Sequence, residues 1–241
     1  MAKGTLWILG MPLHSEWTSL PPLTVDRLAG CDVYIGESRK IALRFLSRVP
    51  DAKTKPLFLM DEASRPEERQ WRAALREASS KGGTVALFSD TGMPLLYDPG
   101  REVLWAAQEL GMSIRCESGP TSWGTSTALT GWDPPFLVVG FPPREKPDRE
   151  RFWNSLRQSR WHCVLMERPY RFLSFLDECA AVFGATREAF LAWELDAPTQ
   201  RLLWGSLEKL ARTARGFEKT KGEFVLVLKG SAPSTPRENF S

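Results

Sequence analysis

The chain reads as an α/β protein built from two α/β domains, and three observations predict this. Over the first 117 residues, short apolar runs rich in Val, Leu, Ile and Phe alternate with charged, helically spaced segments, the pattern of parallel strands buried on both faces. Ser118-Gly119-Pro120-Thr121-Ser122 then breaks the alternation. Beyond it there are fewer helices per strand, which predicts a mixed second sheet. Domains are therefore expected over 1–117 and 123–230, joined by a linker at 118–122, with a polar, proline-rich tail over 231–241 expected to be disordered. With 241 residues and 42% hydrophobic content, the chain has enough apolar material for two modest cores.

Taken in order, GTLWIL at 4–9 is the first strand, followed by a Pro- and Ser-containing loop over 10–22 and a helix over 23–29. DVYIG at 32–36 is the second strand, which delivers Glu37, Ser38, Arg39 and Lys40 to its carboxyl end before a helix over 41–49. Residues 55–60 form a third strand, and 65–80 an amphipathic helix with Pro66 in its first turn. TVALF at 84–88 is the fourth strand, 101–110 a helix and 112–117 the fifth strand. Helices of this length between strands imply right-handed crossovers and a doubly wound parallel sheet. In the second half, helices are expected over 123–131, 148–159, 171–183 and 206–215, the stretch 142–147 being a solvated loop. Strands are expected over 136–141, 161–166, 189–194 and 223–229, with a strand or turn beginning at 201–204.

Composition narrows the function classes. The formal net charge of +3 is a weak hint of a polyanionic partner. Cys31, Cys116, Cys163 and Cys179 are widely spaced without a CxxC pair, so they read as small, mostly buried thiols of a reducing compartment. His14 and His162 are the only histidines, and no ligand spacing suggests a metal site. The first apolar run is too short for a signal sequence and no later stretch approaches a membrane span, so a cytoplasmic protein is expected.

The most constrained stretch is SDTGMPLLYDPG at 89–100, between the fourth strand and its helix. Loops beyond the carboxyl ends of parallel strands are where ligands bind in open sheets. Gly92 and Gly100 widen the backbone choice there, Pro94 and Pro99 narrow it, and Asp90 and Asp98 supply carboxylates for capping or for a ligand's hydroxyl or amino groups. The loop after the first strand, GMPLHSE, lacks the GxGxxG of a dinucleotide site, and no GxxxxGK[ST] occurs, which leaves a cofactor without phosphates as the better fit. S-adenosylmethionine needs hydrogen bonds to an adenine edge, ribose hydroxyls and an amino-acid head, all of which irregular loops supply.

The succession GTLWILGMP, SDTGMPLLYDPG, SGPTS, VGFPPR, MERPYR, AWEL and GEFVLVL, running from Gly4 to Lys229, resembles the tetrapyrrole methylase superfamily of S-adenosylmethionine-dependent methyltransferases. Within it, the resemblance points to the type that methylates a cytidine ribose 2′-hydroxyl of small-subunit ribosomal RNA. The resemblance implies two α/β domains with the cofactor in the cleft between them, commonly in a homodimer. It also implies a cofactor held by Ser89, Asp90, Thr91, Gly92, Met93 and Tyr97, by Thr121 and Ser122, by Met166, and by Trp193, Glu194 and Leu195. Some motifs depart from the family's pattern: its TPIGN-like loop is GMPLHSE here, its SDAGTP is SDTGMP, its ESPHR is ERPYR and its RELTK is WELDA. Lys40 stands where the family has Arg, which removes bidentate geometry.

Methyl transfer from a sulfonium is an in-line displacement favoured by a dry site that aligns oxygen, methyl and sulfur. A ribose hydroxyl benefits from a base, for which Glu37 and Glu167 at strand ends are the candidates, with Lys40 and Arg168 as phosphate or hydroxyl partners; helix capping or structural ion pairing is the competing reading of each. Two basic segments suit ribosomal RNA or the small ribosomal subunit as partner. Arg144, Lys146, Arg149, Arg151, Arg157 and Arg160 surround Phe152 and Trp153; Lys209, Arg212, Arg215, Lys219 and Lys221 surround Phe217. Interleaved Asp148, Glu150, Glu208 and Glu218 make solvated helix faces the competing reading. Of the ten tryptophans, Trp7, Trp161 and Trp193 lie in apolar strands and are expected in the core. Alternatives from other classes are a small-molecule, tetrapyrrole-like methyltransferase, a non-catalytic module that binds cofactor and RNA, and a nucleotide-binding enzyme, the last weakened by the missing phosphate loop.

Overall fold

A computed structural model describes residues 3–14, 20–60 and 65–231. The chain divides into two compact units, Met1–Thr121 and Ser122–Ser241.

The first unit runs β1 (Thr5–Leu9), α1 (Pro22–Ala29), β2 (Val33–Gly36), α2 (Arg39–Leu46), β3 (Leu57–Leu59), α3 (Arg65–Lys81), β4 (Thr84–Phe88), α4 (Arg101–Glu109) and β5 (Ser113–Glu117). Its strands lie in the order β3-β2-β4-β1-β5, and every pairing is parallel. The connections β1 to β2 to β3 step one way across the sheet, and β3 to β4 to β5 step the other. Right-handed crossovers then put α1 and α2 on one face and α3 and α4 on the opposite face. The cores agree: Leu28, Phe45 and Leu46 pack with Leu9 and Tyr34 on one side, while Leu75, Val103 and Ala107 pack with Leu6 and Ile35 on the other. The chain therefore leaves the neighbouring strands β2 and β4 toward opposite faces, which opens a crevice at their carboxyl ends.

The second unit runs α5 (Ser122–Thr130), β6 (Phe136–Gly140), α6 (Lys146–Leu156), β7 (His162–Met166), α7 (Phe172–Phe183), β8 (Glu188–Trp193), β9 (Arg201–Ser206), α8 (Leu207–Ala214) and β10 (Phe224–Leu228). The order is β6-β7-β10-β8-β9; β6 and β7 are parallel and the other pairings antiparallel, so the sheet is mixed. Phe172, Phe175, Trp193 and Phe224 form the aromatic centre of its core.

Several elements differ from the sequence reading. The third strand is only Leu57–Leu59. Pro147 does not close a loop but sits in the first turn of α6, where its missing amide needs no partner. The chain from Arg201 is a full strand, in register with β8 over six pairs. Residues 169–171 form a 3₁₀ turn before α7 begins at Phe172. Trp161 is a correction: it precedes β7 and is 53% exposed, because the strand begins at His162, the partner of Phe136. Trp7 is half-buried under the Arg27 guanidinium, and Trp193 is buried. Cys31, Cys163 and Cys179 are buried thiols, whereas Cys116 is exposed. Apart from Ser231, the tail expected to be disordered lies outside the described residues. Among the described residues no helix is long and apolar enough to cross a membrane.

Candidate active site

At the carboxyl edge of the first sheet, the loops after β2 and β4 hold each other through two carboxylates. The Asp90 amide donates to Glu37 Oε2 at 2.9 Å, and the Ser38 amide donates to Asp90 Oδ1 at 3.0 Å. Each acid thus fixes the backbone of the other's loop, with charge-assisted bonds stronger than those between neutral groups. Ser38 is the N-cap of α2 and makes no side-chain cap of its own, so Asp90 takes up an amide at a helix start that local sequence leaves open. The reciprocal pair stands at the β2–β4 crevice.

The rest of the 89–100 loop is knit to its neighbours. Ser89 is buried and its hydroxyl donates to the Thr91 carbonyl at 2.9 Å. Gly92, at φ +67°, exchanges backbone bonds with the loop after β1: Met11 N–H donates to Gly92 O at 2.8 Å and Gly92 N–H to Pro12 O at 3.2 Å. The Met93 sulfur accepts the Gly119 amide at 3.2 Å. Gly10 and Gly119 touch backbone to backbone, so closely that a Cβ on Gly10 would stand 2.4 Å from Gly119 Cα. Leu95 and Tyr97 have φ of +82° and +64°, conformations that non-glycine residues adopt rarely and that persist where the surroundings enforce them. The Tyr97 ring is 45% exposed, and burial of its remainder pushes the phenol's pKa up. Lys40 lies exposed on the first turn of α2 and is not part of the Glu37–Asp90 pair. Thr121, half-buried, ends the first unit.

The second unit gathers its own candidates at one sheet edge. Met166 and Trp193 end β7 and β8, which flank β10 through the pairs Met166–Val225 and Trp193–Phe224. Met166 and Leu195 are buried, and the Trp193 ring packs on Phe172. Glu194 and Asp196 repeat the strain of the central loop, with φ of +44° and +63°. The Glu194 carboxylate takes Lys219 Nζ at 3.0 Å and the Thr199 hydroxyl. Ser122 is the first residue of α5.

Two sequence expectations change here. Glu167, expected to face a cleft as a base, has a side chain with no exposure, set 2.8 Å from Arg149 Nη2, 3.3 Å from Arg171 Nε and 3.7 Å from Arg168 Nη1. It is the centre of a buried ion-pair network. Arg149, assigned to a basic face, is buried in that network: its Nε and Nη2 donate to Glu178 at 2.6 Å and its Nη1 to the Pro143 carbonyl at 3.0 Å. The Glu178 bonds hold the Arg149 guanidinium's pKa above its ordinary value. Burial pushes the Glu178 carboxyl up, but its bonds from Arg149 and Trp153 outweigh that and leave it below the usual carboxylate range. Trp153 is core, and in the second basic segment Phe217 packs on the same core while Arg215 and Lys219 pair with Asp177 and Glu194. Sequence reading missed Glu178 altogether. The available signal was the stripe Arg149, Trp153, Leu156 at i, i+4 and i+7, the buried face of α6.

The first unit's edge suits S-adenosylmethionine on chemical grounds. Asp90, Glu37 and Asp98 make the loops acidic, appropriate to a sulfonium and an ammonium.

Comparison with known proteins identifies the family. Residues 5–211 match the family model described as Tetrapyrrole (Corrin/Porphyrin) Methylases. A protein of Mycobacterium bovis named Ribosomal RNA small subunit methyltransferase I is 31% identical over 238 residues, covering 97% of this chain and 80% of the relative. A protein of the same name from Thermotoga maritima is 30% identical over 234 residues, covering 94% and 99%. In fold, the chain resembles uroporphyrin-III-C-methyltransferase from Thermus thermophilus, with a TM-score of 0.58, 17% identity and 94% of both chains covered.

Proposed function

The chain belongs to the tetrapyrrole methylase family and is a methyltransferase; from that premise we propose that it transfers the methyl group of S-adenosylmethionine to a ribose 2′-hydroxyl of small-subunit ribosomal RNA. The observation that carries the reading is likeness over nearly the whole chain to proteins named for methylating small-subunit ribosomal RNA. The cofactor supplies an activated methyl on a positively charged sulfur. Asp90 takes the cofactor's hydroxyl or amino groups on the oxygen that does not hold Ser38, and Ser89, Thr91, Gly92, Met93 and Tyr97 shape the surrounding backbone. Thr121, Ser122, Met166, Trp193, Glu194 and Leu195 contribute the remaining contacts, mostly through backbone at strand ends. Glu37 serves as proton acceptor for the ribose hydroxyl while orienting Asp90, and Lys40, exposed at the head of α2, meets RNA phosphate. We further read the protein as a cytoplasmic homodimer, on its ribosomal substrate and its family resemblance.

Methyl-labelled S-adenosylmethionine and small ribosomal subunits from a strain lacking its own enzyme of this type provide the test. Label in a ribose methyl of the RNA, lost with Asp90→Ala, is the expected result. Cofactor binding without transfer to RNA overturns it. Sedimentation equilibrium at twice 27.2 kDa supports the dimer, and 27.2 kDa overturns it.

A further inference from the structure

The turn that follows β7 is built more expensively than its place on the surface requires. Glu167 Oε1 accepts the Arg168 amide at 3.0 Å, and Oε2 faces Arg149 and Arg171, so one carboxylate grips both ends of the segment. Pro169 fixes one φ, and the Arg171 amide closes the turn on the Arg168 carbonyl at 2.9 Å. Removing two ions from water costs several kcal/mol each, so a buried pair is a poor source of stability and a good means of imposing one geometry. What that geometry displays is Tyr170, 66% exposed, the most exposed large hydrophobic side chain among the described residues. Arg168 lies beside it in sequence with its side chain 30% exposed. In the network, Arg149, Arg168 and Arg171 outnumber Glu167 and Glu178 by one, leaving a net positive charge on the ion pairs that flank the turn.

We propose that the turn Arg168–Arg171 is an RNA contact in which Tyr170 stacks on an unpaired base and Arg168 meets the adjacent phosphate. The proposal rests on the assignment of RNA as substrate. An aromatic ring on a held turn has only two side-chain torsions to order on binding and a face that any base matches, and a neighbouring guanidinium fits a phosphate's geometry. A protein partner would not need the uncompensated charge.

The test measures affinity of the full-length protein for protein-free small-subunit ribosomal RNA and for intact small subunits, across a salt series, with cofactor affinity and methyl transfer in parallel. Tyr170→Ala is expected to weaken RNA binding about tenfold or more with the salt slope unchanged, and Tyr170→Phe to bind as wild type. Arg168→Ala is expected to reduce the salt slope by about one phosphate contact. Cofactor affinity stays constant in all three, which excludes misfolding. Wild-type RNA affinity in Tyr170→Ala overturns the proposal, as does a loss seen only with intact subunits, which would assign the ring to a ribosomal protein. Wild-type protein that binds RNA without methylating it overturns the substrate reading alone, and the Tyr170 comparison still decides the contact.

Discussion

Asp90 and Glu37 each hold the other's loop, and this makes their roles separable by experiment. Glu37→Gln keeps an oxygen to accept the Asp90 amide but removes the basic group. Cofactor affinity is expected to stay at the wild-type level while the transfer rate falls about a hundredfold; an undiminished rate would show that Glu37 only positions Asp90. Asp90 itself was legible in the sequence, because a carboxylate among glycines and prolines after an apolar run is a strong local signal. Glu37 was singled out as well, at the end of its strand, but the pairing of the two was not legible, since Glu37 lies 53 residues away and meets Asp90 only because β2 and β4 are neighbours. Arg149 shows the opposite failure. Charge type placed it on a solvated face, whereas helical spacing with Trp153 and Leu156 places it inside.

Among the elements, the loops after β1, β4 and β5 act as one piece, joined by the Met11–Gly92 exchange, the Met93 sulfur and the Gly10–Gly119 contact. Gly10→Ala drives a methyl into backbone that has no rotamer to relieve it, so a loss of at least about 1–3 kcal/mol is expected in urea unfolding, together with weaker cofactor binding. In the second unit, His162 joins the start of β7 to the end of β10. Its Nδ1 accepts the Gly230 amide at 2.9 Å, and its Nε2 lies 2.9 Å from the Asp133 carbonyl. Burial depresses its pKa, with Lys229 and Arg187 adding to the effect, against the Asp133 bond. The folded state therefore resists protonation that the unfolded chain accepts below pH 6.5, and stability falls as pH drops from there toward the depressed value. Urea midpoints measured across that window should show the decline, and His162→Gln should remove His162's share of it. Strand and helix identities were largely legible from periodicity. Trp161 was not, because only the pairing with Phe136 decides where β7 begins.

At the scale of the whole molecule, alternation of apolar runs and helices carried the parallel sheet, and its thinning after Glu117 carried the mixed one. Strand order was beyond reach, because β4 enters between β2 and β1 through contacts remote in sequence. The four thiols divide along the same lines as the cores. Burial pushes Cys31 up to about 12 and raises Cys163 and Cys179, while Cys116 lies exposed on β5. A thiol reagent should therefore modify one cysteine per chain in the native protein and four in denaturant, and rapid labelling of more than one without denaturant would contradict the burial described. The sequence thus carries its own reporter, with a single attachment point for a dye or spin label on β5 and three silent sites. Cys31 becomes reactive when the first core opens, and Cys163 and Cys179 when the second does, so their separate labelling rates would time the two openings without any engineered probe.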